Sequence, residues 1–166
     1  MSPEERPRFR AGQGYDVHAF GADRPLLLGG VEVACERGGL VGHSDADVLT
    51  HAIASALLGS LACGDLGTHF PDTDERYRNA SSLELLRHVV AMLRERGYAP
   101  VNCDATLIAQ QPRLSPHIPD MCRKLAEVLE LPRDCVSVKS TTAEGLGAVG
   151  RAEGIAAQAI VLVERT

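Results

Sequence analysis

The sequence contains no tryptophan, and aromatic residues make up only 4% of it. Little surface is therefore left for stacking bases, which disfavours single-stranded nucleic acid as a ligand. Positive charge is not in excess either. Seventeen Lys and Arg face 22 Asp and Glu, a formal net charge of −5 with histidine neutral, and no basic run stands out. General attachment to nucleic acid or to an anionic membrane is disfavoured in turn. No apolar run approaches the ~20 residues of a membrane-spanning helix. The first seven residues, Met-Ser-Pro-Glu-Glu-Arg-Pro, lack the apolar core of a signal peptide. They read as a flexible leader (1–7) before a single domain (8–166). The five cysteines, at 35, 63, 103, 122 and 135, form no Cys-x-x-Cys pair. An odd, scattered set argues against a disulfide framework or a thiolate zinc site. It fits reduced thiols packed as small apolar residues in a soluble cytoplasmic protein.

With 166 residues, 45% of them hydrophobic, the chain can bury one real core. Residues 8–17 read as a strand broken by Gly12 and Gly14, and the period of two puts Asp16 and His18 on one face. Leu26-Leu27-Leu28 and Val31-Glu32-Val33 flank Gly29-Gly30 as a hairpin. A Gly-rich link, 36–42, leads to a helix expected to be capped by Ser44 and to begin near Asp45. Its apolar stripe is Val48, Ala52, Ile53, Ala56 and Leu57, and it ends near Leu61. Residues 65–79 lack periodicity and read as a long loop. Ser81 or Ser82 caps a second helix, with Glu84 completing a Ser-x-x-Glu box, an apolar stripe of Leu83, Leu86, Val90 and Leu93, and Gly97 as its stop. Residues 101–108 alternate as a strand, 110–115 turn, and Ser115-Pro116 opens a third helix with Pro first. Met121, Leu125, Val128 and Leu129 are its stripe. Val136, Val138 and Ser140 start another strand, 141–154 is Gly-rich, and 155–163 closes the chain as a buried strand. The pattern predicts an α+β domain, a mixed β-sheet with helices packed on one face. A partner subunit is expected over the other.

Asp16, His18 and His51 are the candidate metal ligands. Two imidazoles and a carboxylate form a zinc set that leaves a fourth position open. Spacing alone also allows a turn-capping Asp-x-His and a solvated helical His. His43-Ser44 is either a phosphate-facing helix start or only a cap. Phe70-Pro71-Asp72-Thr73-Asp74 is either a binding loop or an acidic turn. Ser140-Thr141-Thr142-Ala143-Glu144-Gly145 either cradles a diphosphate, with Glu144 on a hard cation, or is a polar loop. His69, His88 and His117 read as packing or surface residues, and Arg113 as a surface charge or a phosphate contact.

Taken in order, several motifs resemble the 2-C-methyl-D-erythritol 2,4-cyclodiphosphate synthase family. They are Gly14-Tyr15-Asp16-Val17-His18-Ala19-Phe20, His43-Ser44-Asp45-Ala46-Asp47 with His51, Gly64-Asp65-Leu66-Gly67, Phe70-Pro71-Asp72-Thr73-Asp74, Ile108-Ala109-Gln110, Pro116-His117-Ile118 and Gly150-Arg151-Ala152-Glu153-Gly154-Ile155. The resemblance implies that Asp16, His18 and His51 hold zinc. It implies that Glu144 meets a second divalent ion, magnesium or manganese, bridging the substrate diphosphate. His43 and Thr142 match positions assigned to transition-state stabilisation. His43, Ser44, Asp65, Leu66, Gly67, Phe70, Pro71, Asp72, Thr73 and Asp74 match segments that hold the methylerythritol phosphate, and Asp16, Val17 and His18 are implied to contact substrate as well. Ala109, Gln110, Gln111, Pro112, Arg113, Leu114 and Ser115 match the cytidine pocket. Thr141, Thr142, Ala143 and Glu144 match the diphosphate segment, and Arg151 completes the implied set. Relatives are homotrimers with sites between subunits and sheets facing the threefold axis. Neither nucleic acid nor membrane is implied as a partner.

The chain departs from the pattern at Gly145, Ala148 and Gln158, where a basic residue, Phe and Glu are often found. Arg113 stands where Lys is common, which keeps the charge but changes the donor geometry. The implied reaction turns 4-diphosphocytidyl-2-C-methyl-D-erythritol 2-phosphate into the cyclic diphosphate and CMP. Its rivals are a zinc phosphohydrolase and a non-catalytic trimeric binder.

Overall fold

The most apolar helix of the chain becomes the centre of the fold. In the computed structural model, which describes residues 7–166, α1 (Val48–Ser60) is buried almost all round, well beyond the expected stripe. It lies on β1 (Phe9–Ala22) and also touches β7 (Gly154–Arg165) and α3 (Ser82–Glu95). The five-stranded sheet has the order β4-β1-β7-β5-β6, with β4 at Gly39–Leu40, β5 at Tyr98–Ile108 and β6 at Val136–Thr141. All neighbours are antiparallel except β5 and β6, so the sheet is mixed as expected. α3 packs on β5 and α4 (Ile118–Leu129) on β6. Short helices α2 (Leu66–His69) and α5 (Gly147–Gly150) complete the chain. None of the described helices is long and apolar enough to cross a membrane.

Burial alternates along the strands as a one-sided sheet requires. Cys103, Ala105, Leu107, Ala157, Ala159, Val161 and Val163 are buried, whereas Tyr15, Val17 and Ile160 are about half exposed, at 58%, 49% and 53%. The helices thus cover one face. On the other, Lys139 pairs with Asp104 across β5 and β6.

Several expectations are corrected. Strand β1 runs unbroken to Ala22; Gly12 and Gly14 are close-approach positions, where an added Cβ would fall 1.9 Å from Ala56 O and 2.0 Å from Ala52 O. The Gly-rich link contains β4. Helix α1 starts at Val48 rather than Asp45, and its N-cap is Asp47, which accepts from Thr50 N. The reason is a competing demand on Asp47. Its fully buried carboxylate also accepts from Gly29 N at 2.9 Å, Gly30 N at 2.7 Å and the Thr50 hydroxyl at 2.8 Å. Gly29 and Gly30, at φ 57° and 71°, form the two-residue turn of the β2 (Leu26–Leu28) and β3 (Val31–Val33) hairpin. Asp47 ties that turn to the helix.

The loop 65–79 is not structureless, because Asp65 caps α2 through Thr68 and Asp74 caps a 3-10 turn at Glu75–Tyr77. The Ser81–Glu84 capping box does not form. Asp45, remote in sequence, takes the role instead by accepting from Ser82 N at 2.9 Å. Helix α4 begins at Ile118, so the proline in its first turn is Pro119, not Pro116. The leader assignment lies outside the described residues except for Pro7, whose carbonyl accepts from the buried Tyr98 hydroxyl at 2.9 Å.

Candidate functional site

Helix α1 and the inner face of β1 place one ligand atom from each of Asp16, His18 and His51 within 4.8 Å of one another. Asp16 Oδ2 lies 3.0 Å from both His18 Nε2 and His51 Nδ1, and these two nitrogens are 3.4 Å apart. Outer hydrogen bonds fix the rings. His18 Nδ1 donates to the Val41 carbonyl at 2.6 Å, which turns Nε2 towards Asp16. His51 Nε2 donates to Ser82 Oγ at 2.8 Å and lies 3.1 Å from Ser44 Oγ. The Ser82 hydroxyl donates onward to Asp45, so Ser82 must accept from the ring and the His51 Nδ1 lone pair faces the centre.

Two imidazole lone pairs and a carboxylate facing one another need a cation among them, either a proton or a metal ion. The electrostatics of the three groups favour a protonated His18 ring beside an ionised Asp16 carboxyl. The hydrogen bond to Asp16 raises the His18 pKa above its ordinary value, and burial only partly opposes it. Burial pushes the Asp16 carboxyl up, but hydrogen bonds and charge from His18 and His51 outweigh this and hold it well below the carboxylate range. A histidine pair oriented by outer hydrogen bonds, with one carboxylate, suits zinc-type coordination. Ser82→Ala should weaken metal binding about 10–100-fold, measured by competition with a chromophoric chelator. Unchanged affinity would show that Ser44 alone orients the ring.

The triad lines a cleft of about 580 Å³ together with His43, Ser44, Leu66, Gly67, Phe70, Pro71 and Asp72. His43 Nε2 donates to the Asp74 carbonyl at 3.2 Å, which joins the 43–44 segment to the 70–74 segment. Other expected residues take different places. The Asp65 carboxylate is spent on capping α2, Asp74 pairs with Arg76, and neither they nor Thr73 line the cleft. Val17 points to the uncovered sheet face, because it alternates with Asp16 and His18. Ser55, Tyr77 and Leu85 line the cleft without having been expected. For Ser55 the signal existed, since it lies one helical turn after His51 on the same face.

A second cleft, about 270 Å³, is lined by Ala109, Gln110, Pro112, Arg113, Leu114, Ser115, Ser140, Thr141 and Thr142, and shares no residue with the first. Gln111 lines a third cleft with Cys35, Glu36 and Arg37. Thr142 Oγ1 donates to Glu144 Oε1 at 2.5 Å. Ala143 and Glu144 are otherwise outside these clefts, as is Arg151, which pairs with Glu153 at 2.7 Å. Within one chain, the metal triad and the residues 109–115 therefore stand apart.

Residues 9–164 match the YgbB family. The chain is 59% identical over 157 residues to the 2-C-methyl-D-erythritol 2,4-cyclodiphosphate synthase of Dechloromonas aromatica, covering 95% of this chain and 98% of the relative. Among solved structures it is similar to the bifunctional IspDF of Campylobacter jejuni, with a TM-score of 0.91 and 41% identity. That match covers 95% of this chain but 42% of the larger protein. The CDP complex of Plasmodium falciparum IspF superposes with a TM-score of 0.82 and 30% identity, covering 98% and 99% of the two chains. The match spans both histidine motifs, every described helix and the sheet but for the last residue of β7, and the chain belongs to this family, that of the 2-C-methyl-D-erythritol 2,4-cyclodiphosphate synthases.

Proposed function

We infer that this chain closes the ring of 4-diphosphocytidyl-2-C-methyl-D-erythritol 2-phosphate, giving 2-C-methyl-D-erythritol 2,4-cyclodiphosphate and CMP in the non-mevalonate route to isoprenoids. The observation that carries the reading is the convergence of Asp16, His18 and His51 in a cleft shared with His43 and Ser44. An oxygen of the 2-phosphate attacks the β-phosphorus, and the bond to the CMP oxygen breaks with its electron pair leaving on CMP. The nucleophile is already an anion, so the protein has no proton to remove. Its task is to fold the substrate back on itself and to offset converging negative charge.

Zinc held by Asp16, His18 and His51 supplies positive charge and Lewis acidity at the diphosphate when bound. His43 and Ser44 line the cleft as its polar side towards the phosphates, and Phe70 and Pro71 wall its apolar side. Thr142 is assigned to the reacting phosphates, and Glu144, bonded to it, to a magnesium or manganese ion. The cytidine is assigned to the cleft formed by residues 109–115. The relative solved as a CDP complex supports that ligand class.

The two clefts would form one site across a subunit boundary. The uncovered face bearing Tyr15, Val17 and Ile160 is the surface on which a homotrimer would close, as the resemblance implies. The separate positions of the clefts in one chain support that assembly.

Incubation of the purified protein with the cytidyl substrate, followed by ³¹P NMR, tests the function. Cyclic diphosphate and CMP should appear in equal amounts, stop on addition of a chelator and return with zinc. A linear bisphosphate would make the protein a phosphohydrolase, and binding without CMP release would make it a binder.

A further inference from the structure

We propose that Arg24 is a positioning residue of the site, its guanidinium holding the backbone segment that presents His43 and Ser44 to the cleft and orients His18. Arg24 lies between β1 and β2, half-buried, and was not marked by any motif. All three of its guanidinium nitrogens donate to main-chain carbonyls of one short stretch. Nε reaches Leu40 O at 3.0 Å, Nη2 reaches Gly42 O at 2.6 Å and Nη1 reaches Ser44 O at 2.5 Å.

Leu40 is the last residue of β4 and α1 begins only at Val48, so the Gly42 and Ser44 carbonyls have neither a ladder nor a helix to pair them. The stretch bends through residues 42–44, and its successive carbonyls are divided between two sets of donors. Those of residues 40, 42 and 44 are taken by Arg24. The others serve the site: Val41 O accepts from His18 Nδ1 at 2.6 Å, and His43 O accepts from Asn79 N at 2.9 Å. Rotating the segment about its axis would break both sets together. A planar guanidinium with donors in a fixed fork resists such rotation in a way that one ammonium cannot. These are also charge-assisted bonds, stronger than neutral ones. One cation thus fixes the acceptor that sets the His18 tautomer and the placement of the two substrate-facing side chains.

The kinetic part of this inference rests on the cyclisation reading, so the test includes measurements made without turnover. The amides of Val41 and Asp45 are held by Ala19 O and Ala80 O. In Arg24→Ala their hydrogen exchange should speed up at least about 10-fold through local opening, while amides of the β1–β7 ladder keep their rates. Metal affinity, read by chelator competition, should fall several-fold through His18. Under the cyclisation reading, kcat should drop about 10–100-fold for misplaced groups, with a much smaller change in KM. Arg24→Lys should recover only part of each loss, and Arg24→Gln keeps the stem packed should the alanine variant not fold. Wild-type exchange at Val41 and Asp45, with wild-type metal affinity in both Arg24→Ala and Arg24→Gln, would overturn the proposal whatever the enzyme's reaction proves to be.

Discussion

His51→Ala should leave a folded protein that no longer retains zinc and has lost at least about three orders of magnitude of cyclisation. The fold survives because the imidazole's neighbours keep other partners. Asp16 stays bonded to His18, Ser82 stays bonded to Asp45, and Ser44 Oγ keeps the Ala46 amide at 3.3 Å. The apolar residues that seat α1, Ile53, Ala56 and Leu57 among them, are untouched. The site loses one of three convergent donors, and the remaining carboxylate–imidazole pair can be satisfied by a proton alone. Metal content by atomic emission, a thermal melt and the product assay check the three parts of this result. Wild-type turnover by zinc-free His51→Ala protein would sink the assignment.

The second large effect is on the fold and reaches the site through it. In Gly14→Ala, the new Cβ would meet Ala52 O at 2.0 Å and Ala56 N at 2.7 Å; in Gly12→Ala it would meet Ala56 O at 1.9 Å. These obstacles are helix backbone, not the end of a flexible side chain, so α1 must lift from β1 or β1 must bow. We expect a loss of about 3 kcal/mol or more in unfolding free energy, the upper range for overpacking, read as a fall in the urea midpoint. Metal affinity should fall as well. Two residues of strand advance about 6.6 Å and four residues of helix about 6 Å, so the contact of Gly12 with Ala56 repeats at Gly14 with Ala52. The same registration carries on to Asp16 and His18 beside His51. A wild-type midpoint in Gly14→Ala would show that the contact is not tight in solution.

Elements with a strong local pattern were legible in advance. Alternating apolar residues marked β5, a buried apolar run marked β7, the i, i+3, i+4 stripe marked α3 and α4, and Gly29-Gly30 marked the hairpin. The misassigned caps share one cause. Asp45 caps α3 from across the fold, Asp47 serves a hairpin turn and a helix start together, and Ser82 gives up a capping role to bridge Asp45 and His51. Each side chain had a plausible local partner and a better distant one. The short helices in 65–79 were missed because side-chain caps, rather than hydrophobic periodicity, hold them.

The site follows the same division. Asp16 and His18 share a face by strand geometry alone, and the ordered motifs sufficed to indicate the family and its chemistry. His51 is 33 residues beyond His18, and no local rule joins it to the pair. Only the close seating of α1 on two glycines, which lets the backbones approach, brings the three ligand atoms together. Only the fold recruits Arg24, Val41 and Ser82 to aim them: Arg24 and Val41 act through main-chain carbonyls, which leave no residue pattern to read, and Ser82 lies 31 residues from the ring it holds. Local pattern determined the elements and the identity of the donors. Tertiary contact decided which donors meet, and at what angle.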